Sequence, residues 1–192
     1  LLNRPTDAKL RVPQGYAVNI FREDLPTGRW MAIAPNGDVF VAQMMQNQLT
    51  VLRDADGDGR AETSFVWASA GVLDRPMGMA FSGNNFYVAC SGALLRYDYT
   101  SGQTQATGTP TKLADLPGGA QHPAKSLMLY NNKLYVGIGS SQNATVEQDA
   151  RRTTIQEFSL DNSGQAVIGQ PATYASGLRN PQGMDVNPAR PG

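Results

Sequence analysis

A segment repeated at a fixed interval constrains the fold of this chain more than any other feature of its sequence. Trp30–Gln43 aligns without gaps on Met77–Cys90, an offset of 47 residues, and Lys125–Ile138 follows at an offset of 48. A fourth copy opens at Gln182, about 57 residues further on. Internal periods of about 20 to 50 residues are the signature of solenoids, propellers and other repeat arrays. The fold is therefore expected to use one unit several times.

Each copy has the pattern of a β-hairpin: a short apolar strand, a turn rich in Asn and Gly, and a second strand of β-branched and aromatic residues. The three turns are Asn36-Gly37, Asn84-Asn85 and Asn131-Asn132. Further strands are predicted at Leu49–Arg53, Leu94–Tyr97 and Thr154–Leu160. About four strands in a unit of roughly 40 to 50 residues is the composition of a propeller blade.

The sequence therefore predicts an all-β chain, a β-propeller with about four repeats of which the fourth is incomplete. One partial propeller domain spans 1–192, and its repeats lie near 30–75, 77–121, 125–178 and 180–192. A β-sandwich of similar strands is the alternative, and the gap-free repeat argues against it. Because a ring needs at least about four blades, we expect association with the missing blades or with another copy, and no activity of this chain by itself.

Charge and composition exclude several classes of partner. The 192 residues are 41% apolar, which suffices for a compact core, and 16 basic residues balance 16 acidic ones. No net field attracts the chain to nucleic acid or to an anionic membrane, and no apolar run approaches the ~20 residues of a membrane span. The partner is expected to be small and weakly charged. Cys90, the single cysteine, lies in an apolar run and is interpreted as an inert buried thiol.

An acidic loop is the candidate metal site. Carboxylates stand at alternate positions, at Asp54, Asp56 and Asp58, and a glycine follows the third. This spacing wraps a loop around a hard cation with oxygen ligands, and Ca²⁺ is the natural ion. The twelfth position of a complete calcium loop falls on Phe65, so Glu62 would supply the closing ligand. The alternative is a polar turn between strands in which the carboxylates are solvated.

His122 is the only histidine of the chain and lies in the loop 118–125, immediately before the third hairpin. In a propeller, the loop that leads into the innermost strand of a blade opens onto the central channel, where ligands bind. Imidazole is also the side chain best suited to proton transfer near neutral pH. His122 is therefore a candidate catalytic base, although judged without any relative a single histidine in a loop is more often incidental.

Two further segments offer contacts to a ligand. The loop that opens the fourth copy carries Arg179 and Asn180, which supply a planar fork of donors and an amide. The strand end at 138–143 has small and amide residues, which suit close approach to a ligand, and its candidate contacts are Ser140, Ser141 and Gln142. These loops favour an anionic, planar ligand over the channel. The alternative is that Arg179 and Asn180 shape their own loop by bonding to nearby carbonyl groups.

Five motifs along the chain carry a family resemblance. They are the Leu52–Gly59 run, His122 in its loop, Gly139-Ser-Ser-Gln142, Arg151-Arg152 before a strand, and Gly177-Leu-Arg-Asn-Pro-Gln-Gly183. Together they resemble the soluble glucose and sorbosone dehydrogenases that use pyrroloquinoline quinone (PQQ), and the first and fourth motifs are similar to the sorbosone branch. The resemblance spans nearly the whole chain, and Arg-Asn-Pro-Gln-Gly is its most specific part.

The resemblance implies a six-bladed propeller with PQQ over its central channel, with Ca²⁺ as a second cofactor, exported to the periplasm or secreted. It implies an oxidoreductase that transfers hydride from a hydroxyl or hydrated aldehyde of a small carbohydrate to the quinone and passes electrons to an external acceptor. In that role His122 is the general base. The cofactor contacts that the resemblance implies are Arg179, Asn180, Gln142, Ser141 and Lys125.

One departure from the family pattern keeps other functions open. Gln121 stands where the glucose enzymes of the family carry an aspartate before the histidine, so the support of the base differs. A propeller of the same shape could instead bind a ligand or a protein without redox chemistry, with His122 incidental. A metal-dependent lactonase-type propeller would need several carboxylate, amide or imidazole ligands converging on the channel, and the single histidine disfavours it.

Overall fold

The computed structural model of the chain describes residues 10–119 and 121–189. Within these residues, twelve β-strands form three four-stranded antiparallel sheets, and the strands of each sheet pair in the order of the chain. No helix in this part of the chain is long and apolar enough to cross a membrane.

Each sheet is a simple meander. The first contains β1 (Gly28–Ile33), β2 (Val39–Gln43), β3 (Gln48–Arg53) and β4 (Thr63–Ala68). The second contains β5 (Gly78–Ser82), β6 (Asn85–Ala89), β7 (Ala93–Asp98) and β8 (Thr111–Asp115). The third contains β9 (Lys125–Tyr130), β10 (Lys133–Ile138), β11 (Thr154–Ser159) and β12 (Ala172–Ser176). A short 3-10 turn, Met44–Gln46, joins β2 to β3.

The turns predicted from Asn and Gly join the first two strands of each sheet, with the second turn one residue earlier than predicted, at Gly83-Asn84, because Asn85 is the first residue of β6. Asn131 and Asn132 have φ angles of 48° and 59°, and Gly37 has a φ of 92°. Tight hairpin turns need this left-handed region, which Gly and Asn adopt at lower cost than other residues. The turn fixes the register of β9 and β10, with Leu134 opposite Leu129.

The prediction of an all-β chain built from four-stranded units is confirmed. The three strands predicted after the hairpins agree with β3, β7 and β11 to within one residue at each end. The described residues contain no strand after β12, so the fourth repeat and the number of blades in the ring stay predictions from the sequence. The last part of that repeat, 190–192, lies outside the described residues.

The first and second sheets pack against each other through aromatic side chains. The ring centroid of Phe40 lies 5.0 Å from those of Phe81 and Phe86, and the ring of Trp67 lies 5.0 Å from that of Phe86. Pairs at this distance add to the free energy gained by burying the rings. Cys90 belongs to the same cluster, and burial raises the pKa of its thiol to about 12. The predicted inert thiol is therefore buried as expected.

An aliphatic core lies between the second and third sheets. Its buried members are Tyr87, Ala89, Leu94, Leu116, Leu127, Leu134, Val136, Ile138, Phe158 and Leu160. The first strands of the two sheets, β5 and β9, come especially close, because a Cβ on Gly78 would lie 2.4 Å from the backbone nitrogen of Leu127. Sheets that converge through their first strands are expected where blades surround an axis.

The loops divide between two ends of the molecule, because neighbouring strands run in opposite directions. One end, called here the leading face, contains the segments 44–47, 69–77, 90–92, 116–119, 121–124, 139–153 and 177–182. The other end, the turn face, contains 34–38, 54–62, 83–84, 99–110, 131–132 and 160–171. Hydrogen bonds join sheets at both ends: Arg75 N–H donates to Asn47 Oδ1 at 2.8 Å on the leading face. On the turn face, Arg53 Nη2 donates to Gly102 O at 2.8 Å.

Candidate functional site

Three loops of the leading face meet around His122. The first lies between β8 and β9, the second connects β10 to β11, and the third follows β12. Gln121 N–H donates to Ser141 O at 3.0 Å, and Ser140 N–H donates to Arg179 O at 2.9 Å. These two backbone hydrogen bonds bring the three predicted ligand-binding segments into one cluster.

Gly139 permits this close approach. A Cβ at this position would lie 2.6 Å from the Cβ of His122 and 2.8 Å from Oδ1 of Asn180. No side chain fits into that space, so glycine is required for the backbone contact. The predicted base and the predicted cofactor amide therefore both lie against the same strand end.

The imidazole of His122 is half-buried and is held by Ser140. Its Nδ1 lies 3.1 Å from the backbone oxygen of Ser140 and 3.0 Å from its Oγ. The hydroxyl of Ser140 donates in turn to Gln142 O at 2.6 Å. The protein thus engages Nδ1 of the ring, and no hydrogen bond joins Nε2 to any of the described residues.

Arg179 and Asn180 lie beside the histidine. Arg179 Nε donates to Asn143 O at 3.3 Å, and its guanidinium also contacts the side-chain oxygen of Asn143. Asn180 Oδ1 accepts a hydrogen bond from Gln182 Nε2 at 2.7 Å. Because Arg179 and Gln142 are exposed, the cluster presents a cation and an amide to solvent.

A pair of largely buried charges fixes the loop between β10 and β11. Glu147 Oε1 accepts the N–H of Ser141 at 2.7 Å, and its Oε2 lies 4.0 Å from Arg152 Nε. Arg152 Nη2 donates to Gly118 O at 2.6 Å, which ties this loop to the loop of His122. The two charged side chains are only 10% and 11% exposed. Hydrogen bonds to charged groups are stronger than neutral ones, so Glu147 stabilises its own loop and Arg152 joins that loop to the loop of His122.

Lys125, predicted as a cofactor contact, is fully buried at the start of β9. Its Nζ donates to Pro123 O at 3.0 Å. The pKa of the ammonium group is lowered to about 8, mainly by burial and also by the charge of Arg152, while Asp74 acts in the opposite direction. The lysine therefore lies beneath the leading face and is not open to solvent.

The predicted metal loop lies on the turn face, at the opposite end of the sheets from His122. One carboxylate oxygen from each of its four acidic residues lies within 4.8 Å of the others; these are Asp54, Asp56, Asp58 and Glu62. Asp54 also accepts backbone hydrogen bonds from two loop glycines, at 2.7 Å and 2.9 Å. Converging carboxylates suit Ca²⁺, and the same loop bonds suit the polar turn that the sequence left open.

The structure brings five of the predicted channel residues together on the leading face: His122, Ser141, Gln142, Arg179 and Asn180. It separates the acidic loop from them and places Lys125 below them. Sequence reasoning missed the role of Glu147 altogether and noted Arg152 only for the family resemblance. Both residues lie in one irregular loop, and no regular spacing in the sequence indicates that they would pair.

A family model described as TrAA12-like matches residues 10–191. The chain belongs to the TrAA12-like family. No curated protein matches it in sequence. The five motifs predicted a relationship to the family of PQQ-dependent sugar dehydrogenases, and that family relationship is confirmed.

Several solved structures share the fold of this TrAA12-like chain. The holo PQQ domain of pyranose dehydrogenase from Coprinopsis cinerea has a TM-score of 0.74 and 21% identity, over 88% of this chain and 43% of that domain. The calcium structure of the family AA12 enzyme from Trichoderma reesei has a TM-score of 0.67 and 18% identity, over 88% and 45%. The PQQ-bound aldose sugar dehydrogenase from Streptomyces coelicolor has a TM-score of 0.61 and 16% identity, over 86% and 55%.

These likenesses show a common fold, and the TrAA12-like chain spans only 43% to 55% of the length of these three structures. At identities of 16% to 21%, chemistry does not carry over from one protein to another. The function of this chain has to be argued from its own residues.

Proposed function

We propose that this TrAA12-like chain is part of a PQQ-dependent dehydrogenase that oxidises a hydroxyl or hydrated aldehyde of a small sugar, of the aldose or sorbosone type. One observation carries the proposal: His122 lies against Ser140 and Gly139, beside the exposed Arg179, on one face of a propeller-type fold. A base next to a cation and amides is what oxidation of an alcohol by a bound anionic cofactor requires. The activity is proposed for a longer form, since the chain spans about half of the matched structures.

The residues on the leading face fit PQQ, a planar quinone that carries carboxylates. Arg179 offers a fork of N–H donors for a carboxylate, and Asn180 and Gln142 offer amides. Ser141 adds a hydroxyl from the same strand end, and Lys125 adds a positive charge below the loops at neutral pH. The first four residues would hold the cofactor directly, and the fully buried Lys125 would act on it only through its charge from below. When bound, the quinone supplies the acceptor for the hydride that leaves the sugar carbon.

His122 would remove the proton of the substrate hydroxyl. Its Nε2 is the ring nitrogen that none of the described residues bonds, whereas Nδ1 is held by Ser140. The hydroxyl oxygen would give its proton to Nε2, and the carbon that bears this oxygen would lose its hydride to the acceptor that the bound cofactor supplies. The C–OH group thus becomes a carbonyl, and atoms and electrons balance. Imidazole suits this step because it accepts a proton near neutral pH.

The same proposal includes the partners and the location of the enzyme. The electrons must leave through an external acceptor, because the reduced cofactor has to be reoxidised after each sugar. We place the protein in the periplasm or outside the cell, as the family resemblance implies.

Cofactor titration combined with dye reduction tests the proposal. The chain itself and a longer form, extended to the length of the matched structures, are titrated with PQQ, and a panel of aldoses is assayed with an artificial dye. The longer form should bind PQQ at micromolar concentration and reduce the dye. His122→Ala should lower turnover by about 100-fold or more with PQQ binding retained.

Arg179→Ala in the longer form should weaken PQQ binding, whereas Arg29→Ala, at an exposed arginine of β1, should leave binding unchanged. If neither form binds PQQ at micromolar concentration, the redox proposal fails. A propeller that binds a ligand or a protein without redox chemistry is then the better description.

For the turn face we propose that the acidic loop binds Ca²⁺ through Asp54, Asp56, Asp58 and Glu62. A ligand that binds only the folded state stabilises it, by about 2.7 kcal/mol at 100 times its dissociation constant. Thermal unfolding of the chain with CaCl₂ should therefore give a higher Tm than with MgCl₂ or EDTA. Asp56→Asn should reduce the gain and Asp185→Asn, at an exposed carboxylate elsewhere, should not. A Tm that does not change on addition of calcium would favour the alternative, a polar turn without a bound ion.

A further inference from the structure

We infer that Ser140 is a positioning residue that holds His122 in the Nδ1–H tautomer, so that Nε2 is the nitrogen that accepts a proton. The inference deepens the proposed function, on which its catalytic part rests. The tautomer itself is assigned from hydrogen bonds of the chain alone, without a cofactor or substrate.

The two contacts of Nδ1 require a hydrogen on that atom. The backbone oxygen of Ser140, at 3.1 Å, has lone pairs and no hydrogen, so it can only accept. The hydroxyl of Ser140 lies 3.0 Å from Nδ1 and gives its hydrogen to Gln142 O at 2.6 Å. A carbonyl oxygen cannot donate, so the hydroxyl has only lone pairs left for His122. Both oxygens of Ser140 are therefore acceptors for one Nδ1–H.

Ser140 is itself held firmly. It is 5% exposed, and its N–H donates to Arg179 O at 2.9 Å. Gly139 before it has no space for a side chain, so this strand end cannot shift without moving His122. One residue thus contacts the predicted base, the loop of the predicted cofactor arginine, and Gln142.

The support that Ser140 gives is uncharged. A carboxylate next to Nδ1 would place a negative charge beside the ring, whereas a hydroxyl and a carbonyl orient the ring without adding a charge. Gln121, which precedes the histidine, is uncharged as well. In this chain the hydroxyl and the backbone oxygen of Ser140 therefore orient the base without a charge.

Because the chain has a single histidine, its tautomer can be measured directly. The chain is labelled with ¹⁵N-histidine, and long-range ¹H–¹⁵N correlation spectra are recorded above the pH at which the ring titrates in the same spectra. One set of signals is expected, with Nδ1 protonated and Nε2 unprotonated. A majority of the Nε2–H form, which free histidine prefers in water, would overturn the inference.

Two variants separate the contribution of the Ser140 hydroxyl to the tautomer from that of its backbone oxygen. In Ser140→Ala the ratio of Nδ1–H to Nε2–H should fall about two- to tenfold, the range that one neutral hydrogen bond supplies. Ser91→Ala is the matched control, because Ser91 follows β6 as Ser140 follows β10, is fully buried, and has no partner for its Oγ among the described residues. An unchanged ratio in Ser140→Ala would assign the tautomer to the backbone oxygen and overturn the role of the hydroxyl. If Ser140→Ala does not fold, the wild-type spectrum still decides the tautomer.

Turnover then tests the catalytic part. In the longer form loaded with PQQ, Ser140→Ala should lower kcat in proportion to the fraction of molecules that the spectra show in the Nδ1–H form, with the KM for the sugar and the affinity for PQQ unchanged. An equal loss of PQQ affinity would indicate a merely structural role and overturn positioning. If the wild-type chain shows the Nδ1–H form but the longer form does not bind PQQ, the proposed function fails while the tautomer stands.

Discussion

At the scale of single residues, the candidate site depends on Gly139, because only a residue without a side chain fits at this position. Gly139→Ala should displace His122 or Asn180, since its Cβ would lie 2.6 Å and 2.8 Å from atoms of these residues. Overpacking of this kind costs about 1 to 3 kcal/mol. Urea unfolding should show that loss, and the ¹⁵N signals of His122 should shift.

Gly92→Ala is the matched control for this prediction. Gly92 also lies just beyond the end of a second strand, and a Cβ there would meet no atom within 4 Å. Its free energy of unfolding should stay within about 0.5 kcal/mol of the wild type. Equal losses in the two variants would show that Gly139 is not a point of close contact.

Lys125 makes the stability of the chain depend on pH. Its pKa is about 8 in the folded chain and 10.5 in an exposed lysine. Below pH 8 both states hold the proton, and the folded state bears the full cost of a buried cation. Between pH 8 and 10.5 the folded chain releases the proton while the unfolded chain keeps it, so the wild type gains stability as the pH rises.

Lys125→Met removes this cost together with the hydrogen bond to Pro123 O. The variant should be more stable than the wild type by about 1 to 2 kcal/mol at pH 7, and the difference should shrink from pH 8 upward. Urea unfolding at several pH values from 6.5 to about 10 measures it. Lys112→Met, at an exposed lysine, should show no such trend. A difference that is constant over this pH range would contradict a lowered pKa.

The sequence could place the site because the repeat tells which loops share one end of the sheets. His122 and Arg179 both precede the first strand of a repeat, so their meeting on the leading face was predictable. The direction of the Ser140 hydroxyl was not, because it depends on the backbone angles at a strand end. For Ser140, a position near a ligand was predicted, and the bond to His122 came only from the structure.

At the scale of strands, the same contrast appears between the inner and outer parts of each sheet. The hairpins were predictable because β6 and β10 are almost entirely buried and follow a turn of Asn and Gly. The fourth strands, β4, β8 and β12, could not be placed individually. All three are edge strands. β8 and β12 have mostly exposed side chains, so they have little of the apolar alternation that marks a strand in a sequence, and in β4 Phe65 and Trp67 pack inward against the aromatic cluster.

The contact between β5 and β9 leaves the least space of the contacts between sheets, because the backbone at Gly78 lies directly against the backbone of β9. Gly78→Ala would place a Cβ 2.4 Å from Leu127 N and 2.7 Å from Lys125 O, and backbone atoms cannot rotate away. The loss in the free energy of unfolding should be at the upper end for overpacking, about 3 kcal/mol, measured by urea unfolding. Gly183→Ala alters the corresponding glycine of the fourth copy, which has no atom within 4 Å, and should change little. A mild effect of Gly78→Ala would mean that the two sheets can separate at low cost.

At the scale of the whole molecule, the three sheets are not equally protected. The second sheet packs on both sides, against the aromatic cluster of the first and the aliphatic core of the third. The outermost strand of the third sheet, β12, is mostly exposed, and Tyr174 within it is 66% exposed. In repeat folds, stability is close to a sum of contacts between neighbouring units, so the parts with fewer contacts open first.

Hydrogen exchange measured by mass spectrometry should therefore follow an order, with β6 among the slowest strands and β12 among the fastest. The sharpest comparison is between β4 and β12, which are both outer strands. Trp67 of β4 is buried in the aromatic cluster, and its backbone oxygen accepts the N–H of Ala106, in the loop between β7 and β8, at 2.8 Å. β4 should therefore exchange more slowly than β12. Equal exchange in all strands would instead mean that the three sheets open only together, in one cooperative step, and that the contacts between neighbouring sheets do not limit stability separately.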